Sequence, residues 1–263
     1  MLTHQLLQGK RGIIFGALNE QSIAWAIALQ CAAEGAKLVL TNTPVALRFG
    51  KTNQLAELTG SVVIAADATN EQDLEHLFTE AQQQLGGKID FVLHAVAMSP
   101  NIRKGKEYNN LDYNYFHQTL DISSLSFHKM LQTAFRLDAI DEYGSVVALS
   151  FIAAQRAFEG YNDMSDAKAL LESIARNFGL VYGKKRKVRV NTVSQSPTRT
   201  TAGSGISGFD TFFSFSDRQS PLGNATAEDC AQVCVMLFSD YTRHITMQNI
   251  YNDGGYSTTG GSL

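Results

Sequence analysis

The chain has 263 residues, with 22 Lys and Arg against 25 Asp and Glu and a formal net charge of −3. At a pI near 6.1 it has no global positive field to hold nucleic acid or an anionic membrane, and 44% hydrophobic with 18% charged residues excludes a mainly disordered chain. No apolar run approaches the roughly 20 residues of a membrane span, and nothing near the start has the pattern of a secretory leader. Cys31, Cys230 and Cys234 have neither the even count of a disulfide scaffold nor zinc-ligand spacing, so a globular, cytoplasmic protein without a metal is expected.

Arg11–Gly16 reads as a short buried strand entering a turn, and the apolar-periodic run Ile23–Ala33 behind Ser22 as a helix. Ala36–Thr41, Ser61–Ala66 and Ile89–Ala95 read as further strands with helical stretches between them. Two longer helical patterns, around 111–137 and 161–182, flank the β-rich Ser145–Ser150, and Val188–Val193 makes a sixth strand. An irregular stretch, Ser194–Gly223, precedes a helix over Ala227–Phe238, and Asn249–Tyr251 closes the chain before a Gly/Ser/Thr tail. This alternation predicts parallel βαβ units with right-handed crossovers. Without a proline-rich linker, low-complexity tract or repeat, residues 1–263 are expected to form one doubly wound α/β domain, with the long connection before Gly223 as a binding loop.

An open parallel sheet binds ligands beyond the carboxyl ends of its strands, which marks Gly16, Asp67, Ala95, Ser150 and Thr198 as rim positions. Gly16 permits backbone approach to a pyrophosphate, and Ser22 with the amides opening the next helix can donate to its oxygens. Singly, each residue has a plainer reading. There is no full G-x-G-x-x-G, so Gly16 also suits an ordinary tight turn, and Asp67 suits a helix cap or turn as well as an acceptor for an adenine amine.

The combination is more specific than its parts. Gly16-x5-Ser22-Ile23-Ala24, Asp67, Asp121-Ile-Ser-Ser124 opening the long helix, Tyr161-x6-Lys168, Arg189-Val-Asn191, Pro197-Thr-Arg-Thr200 and Asp253-Gly-Gly255 follow one another along the chain. In this order they resemble the enoyl-acyl-carrier-protein reductases of the short-chain dehydrogenase/reductase superfamily, from Leu6 to about Ser257. The resemblance implies a Rossmann-type domain around a parallel sheet of about seven strands, a homotetramer, and reduction of the 2,3 double bond of enoyl thioesters on acyl carrier protein in fatty-acid synthesis. It implies a nicotinamide cofactor held by Gly16, Leu18, Ser22, Ile23, Thr43, Asp67, Ala68, Ala95, Val96, Lys168, Thr198 and Thr200. Substrate would meet Ala97, Met98, Phe151, Tyr161, Met164, Ala202, Ile206 and Phe209.

Tyr161 and Lys168 are expected to be catalytic. Seven residues apart on a helix, they would point in directions only about 20° apart and face one cleft. Met164 stands where the ordinary dehydrogenase tyrosine of Tyr-x3-Lys would be. As hydride reaches C3, Tyr161 would donate a hydrogen bond to the enolate oxygen, and Lys168 would hold the nicotinamide ribose, favour the enolate by its charge and lower the tyrosine pKa. Four departures from the family pattern bear on this. Phe151 replaces a usual tyrosine; Ala97 and Gln195-Ser196 stand where smaller residues leave more room for the cofactor. The end of the second strand, Thr41-Asn-Thr-Pro44, offers neither an acid for a ribose 2′-hydroxyl nor an adjacent Arg-Lys pair for a 2′-phosphate, although Arg48 and Lys51 follow, and NADH is expected over NADPH. Ser207, Asp210 and Thr211 occupy positions where basic residues often help dock the carrier protein.

Ile206, Phe209, Phe212, Phe213 and Phe215 lie among small residues, which suggests a flap over 198–220 that closes on an acyl chain; a short core helix is the plain alternative. His94, inside an apolar strand, is expected to be a hydrogen-bonded core residue, and Lys184–Lys187 a solvated surface run. Two competing readings are a carbonyl reductase, against which the absence of Tyr-x3-Lys and of a serine at 151 speaks, and a cofactor-binding pseudoenzyme or regulatory subunit, against which the retained Tyr161 and Lys168 speak.

Overall fold

The computed structural model describes residues 4–260, except 202 and 204–207. Seven strands form one parallel sheet: β1 Arg11–Phe15, β2 Lys37–Thr41, β3 Val62–Val63, β4 Ile89–His94, β5 Ile140–Ser150, β6 Arg189–Gln195 and β7 Asn249–Asn252. Their spatial order is β3-β2-β1-β4-β5-β6-β7, so the direction of winding reverses between β1 and β4. This is the doubly wound, Rossmann-type sheet that the alternating pattern predicts. The helices are α1 Ile23–Ala33, α2 Pro44–Phe49, α3 Thr52–Thr59, α4 Glu71–Leu85, α5 Pro100–Arg103, α6 Tyr113–Leu120, α7 Ser126–Arg136, α8 Asn162–Arg186, α9 Phe209–Gln219 and α10 Ala227–Phe238.

Alternation along each strand divides the core into two layers. Ile13, Val39, Val92 and Val146 pack on one face with Leu77 and Phe78 of α4, Phe127 and Leu131 of α7, and Leu171 of α8. Ile14, Leu40, Leu93 and Val147 pack on the other with Ile27 of α1, Leu55 of α3 and Leu237 of α10. Cys31, Cys230 and Cys234 are unpaired and buried in that second layer. Phe91 stacks on Phe238 with ring centroids 4.4 Å apart, and Gly12 leaves room for it: a Cβ there would come within 2.2 Å of the Phe91 ring.

Several expected elements differ in detail. Of Ser61–Ala66 only Val62 and Val63 form strand pairs with β2, although Ile64 N and Ala66 N still donate to Leu40 O and Asn42 O before the turn at Asp67. The stretch read as irregular, Ser194–Gly223, contains α9. The long helical pattern over 111–137 is one run of α6 and α7 joined by a π-helical turn at Asp121–Leu125, so Asp121-Ile-Ser-Ser124 lies inside the run instead of opening it. Hydroxyls account for the irregularity: Ser124 Oγ donates to Leu120 O, Ser126 Oγ donates to Ile122 O, and Ser123 Oγ turns to the backbone of Met98. The basic run 184–187 sits at the carboxyl end of α8, where cations suit the helix dipole; Arg186 pairs with Asp138 and lies 4.5 Å over the Phe135 ring.

His94 is the core histidine its apolar strand suggests, buried with Nε2 2.9 Å from Ser126 Oγ. Burial, and after it the nearby charge of Lys168, pushes its pKa down to about 3. A histidine depressed in the fold takes up its proton first in the unfolded chain, so stability should fall as pH drops from about 6.5 toward 3. Urea unfolding at pH 7 and pH 5 should show His94→Gln escaping about 2 kcal/mol of the acid-side loss suffered by the parent chain; equal losses in both would contradict this account of His94.

Candidate active site

The carboxyl ends of β4, β5 and β6, with the start of α1, open into a cavity of about 830 Å³. Of the cofactor residues expected from sequence, Ile23, Ala95, Val96, Lys168, Thr198 and Thr200 line it. Of the substrate residues, Ala97, Met98, Phe151, Tyr161, Met164 and Phe209 do. Ala202 and Ile206, like Ser207, lie outside the described residues.

Gly16, Leu18, Ser22, Thr43, Asp67 and Ala68 do not line this cavity; they follow β1, β2 and β3 along the same sheet edge. Gly16 has a φ of +91°, and a Cβ on it would lie 2.1 Å from Ala95 O, so this turn admits only glycine. Ser22 Oγ accepts from the amides of Leu18 and Asn19, each at 3.1 Å. It therefore shapes the loop, where sequence suggested direct donation to a phosphate. Thr52 Oγ1 donates to Ala17 O and Lys51 N to Leu18 O, pinning the loop from the other side. Thr43 caps α2 through Ala46 N, Asp67 Oδ1 accepts from Thr69 N and Oγ1 in the turn its residue type favours, and the Ala68 side chain is buried in the core.

Lys168 lies on α8, buried, with Nζ donating to Leu149 O at 2.7 Å. Burial lowers its pKa to about 8, and the carboxylate of Glu172 one turn further offsets part of that cost. Glu172 is itself satisfied: Ser150 Oγ donates to it at 2.7 Å and Gln155 Nε2 at 3.1 Å. An ammonium with one carbonyl partner keeps further N–H groups for a hydroxyl-bearing ligand in the cavity.

Tyr161 is not on the helix, as the seven-residue spacing supposed, but is the residue that leads into α8. Asn162 takes a left-handed φ of +44°, which asparagine tolerates better than most residues, and separates the tyrosine from the regular turns. Tyr161 and Lys168 nevertheless line the same cavity. The expectation that Lys168 lowers the tyrosine pKa is not met: burial raises it above its ordinary value, so the hydroxyl keeps its proton and can donate.

Phe151 packs 4.9 Å from the Tyr161 ring and 6.0 Å, edge on, from Phe212. Phe158, which sequence reasoning passed over, lies 5.0 Å from Phe212 and 6.4 Å from Tyr256. No apolar period runs through it; its only signal in the sequence is its place in the short segment between Phe151 and Tyr161. α9 carries Phe209, Phe212 and Phe215 on the cavity side, and of its side chains only Ser216 is fully buried, so it is a covering helix and not a core one. Gln195 and Ser196 both line the cavity and are tied to the turn before α10: Gln195 Nε2 donates to Ala225 O and Thr226 O, and Ser196 Oγ accepts from Ala225 N. Asp210 pairs with Arg199, whose guanidinium lies 4.4 Å over Phe213.

This sheet edge and cavity define a dinucleotide-type α/β site with an aromatic-walled compartment beside it. A family model described as enoyl-(acyl carrier protein) reductase matches residues 16–257. An enoyl-(acyl-carrier-protein) reductase (NADH) 2 of Rhizobium meliloti (strain 1021) is 34% identical, over 97% of this chain and 94% of the relative. Its counterpart FabI of Bacillus subtilis (strain 168) is 30% identical over 96% of this chain and 98% of its own length. A crystal structure of the FabI–NADH complex from Alistipes finegoldii superposes with a TM-score of 0.97 at 57% identity, covering 98% of this chain and 92% of that one. The chain belongs to the enoyl-(acyl carrier protein) reductase family.

Proposed function

We propose that this chain reduces the 2,3 double bond of trans-2-enoyl thioesters on acyl carrier protein, with NADH as reductant, in fatty-acid biosynthesis. The observation that carries the reading is the pairing in one cavity of the Tyr161 hydroxyl, a donor at neutral pH, with a lysine ammonium that has one carbonyl partner and further N–H groups to give. The cofactor fits the residues present: the Gly16 turn leaves backbone where a side chain would clash, and the Lys168 ammonium can receive ribose hydroxyls. Bound NADH would supply the hydride for C3, and a proton at C2, ultimately from solvent, completes the reduction. Tyr161 donates to the thioester oxygen as negative charge gathers there, Lys168 adds positive charge nearby, and Phe151, Met164 and the α9 phenylalanines exclude water from the acyl chain.

Selectivity for NADH follows from the β2 end. It has no adjacent Arg-Lys pair for a 2′-phosphate: Lys51 pairs with Glu20 at 2.7 Å, and the exposed Arg48 lies on the following segment. As a member of its family the chain is further proposed to assemble as a homotetramer in the cytoplasm, which sedimentation and fractionation would read directly. The segment 198–220 is proposed as a flap over the acyl chain.

The functional test is consumption of NADH and NADPH with an enoyl thioester and, separately, with a 3-ketoacyl thioester. The expected result is a higher kcat/KM with NADH and the enoyl substrate; a preference for the ketone would favour the carbonyl-reductase reading. Tyr161→Phe should lower kcat by about 10²–10³ while NADH binding by fluorescence is unchanged, the scale of losing one oxyanion donor. Phe151→Tyr should change kcat by less than about tenfold, because residue 151 packs and does not donate. Hydrogen exchange over α9 should slow when NADH and a substrate analogue bind together, and equal exchange in both states would remove the flap from the account.

A further inference from the structure

Asp163, two residues after Tyr161, is a fully buried carboxylate. Ser99 Oγ donates to its Oδ1 at 2.7 Å, and Asn101 Nδ2 donates to its Oδ2 at 2.8 Å. Thr119 Oγ1 lies 2.8 Å from the same Oδ2 and shares its proton with Tyr115 O at 2.9 Å. These donors come from the start of α5 and from α6, so one side chain at the head of α8 ties three elements together. Asn101 extends the tie, exchanging hydrogen bonds with both backbone groups of Asp112, the N-cap of α6. A second anchor is the residue between: Asn162 Nδ2 donates to Lys106 O at 2.5 Å.

The segment so gripped is a wall of the cavity. Met98, Ser99, Ile102 and Arg103 line it, and Met98 is held from its other side by Ser123 of the π-helical turn. Burying a carboxylate is costly, and well-packed apolar side chains bind elements together at least as firmly. What a carboxylate with three directional partners adds is a single register. Tyr161 has no regular helical turn before it; a single backbone bond, Met164 N donating to Tyr161 O at 3.1 Å, joins it to α8 across the left-handed Asn162.

We infer that Asp163 is a positioning residue: through Ser99, Asn101 and Thr119 it fixes the distance between the Tyr161 hydroxyl and the Met98–Arg103 wall that receives the thioester. This rests on the proposed role of Tyr161. Misplacement of a catalytic group by about 1 Å costs on the order of 10² in rate, so the effect is one on turnover. Cofactor binding, which uses the β1 turn and Lys168, is spared.

The experiment compares Asp163→Asn, Asn101→Asp and the double variant that exchanges the two side chains, each in the full chain, with an enoyl thioester and NADH. In Asp163→Asn an amide N–H2 replaces an acceptor facing other donors, and kcat should fall by about tenfold or more with a raised thioester KM, while the NADH Kd stays within about twofold. The exchange restores a donor opposite an acceptor between 163 and 101 but sets a carboxylate oxygen against Asp112 O, so kcat should recover in part, to a value above that of either single variant. Should Asp163→Asn fail to fold, Thr119→Val, which removes a single partner, should show the same split at about threefold in kcat. Kinetic constants unchanged in these variants, an exchange no better than the single changes, or NADH binding lost in step with kcat would each overturn the inference. Tyr161→Phe is run beside them: normal turnover in that variant overturns the tyrosine's role and this one with it, whereas its loss of turnover with an unaffected Asp163→Asn overturns the positioning role alone.

Discussion

A methyl group on residue 16 would lie 2.1 Å from Ala95 O, and the site depends on that closeness. β1 and β4 are neighbours in the sheet, paired from Gly12↔Phe91 to Phe15↔His94, but the chain leaves them in opposite directions. Where two such strands end side by side, the connections diverge and a crevice opens between them. The glycine turn keeps the two strand ends together while the loop after β1 and the wall after β4 separate to form the crevice. Substitution there would meet both the left-handed φ and a backbone oxygen that cannot move without displacing β4.

Beneath the crevice the ionisable groups Lys168, Glu172, Asp163 and His94 each have a partner of matching kind, whereas the Ser194 hydroxyl at the end of β6 has none. Lys168 meets a carbonyl and has Glu172 nearby; Glu172 meets a hydroxyl and an amide; Asp163 meets two hydroxyls and an amide. His94, which faces the Lys168 charge across the same layer, stays neutral and meets a serine hydroxyl. A second cation there would repel the ammonium that the site needs, so the depressed histidine and the retained lysine charge are two sides of one electrostatic arrangement.

Much of this was legible in the chain itself. Parallel strands buried on both faces read as apolar runs, and α1 and α10 begin and end where the apolar periodicity does. Ala97, Phe151, Tyr161 and Phe209, which line the cavity, were expected from sequence while Phe158 was not, and half of the dinucleotide positions lie on the same rim outside it. What periodicity could not reveal was where hydroxyls intervene: the π-helical turn comes from Ser124 and Ser126 bonding back to their own helix, and a pattern of apolar residues carries no trace of that. Nor could spacing show that Asn162 turns left-handed and removes Tyr161 from the helix on which its distance to Lys168 was counted. The role of Asp163 was hidden for the same reason, since its partners are 44 to 64 residues away in sequence.

Phe151 shows how one substitution spreads through such a site. A tyrosine there would present a second hydroxyl; the phenylalanine instead joins Phe158, Tyr161, Phe212 and Tyr256 in a continuous aromatic cluster. That cluster links the turn after β5, the covering helix α9 and the turn at Tyr256–Thr258 after β7. A hydroxyl among these rings would need a polar partner of its own. Without it, Phe212 of α9 meets Phe151 and Phe158 ring to ring, while Arg199 on Asp210 and Asn224 on Phe213 O and Ser216 Oγ add polar ties to the same helix. The ring contacts are short-ranged and have no fixed direction, which suits the proposed flap, a helix that would part from the cavity to admit an apolar chain and return to the same rings.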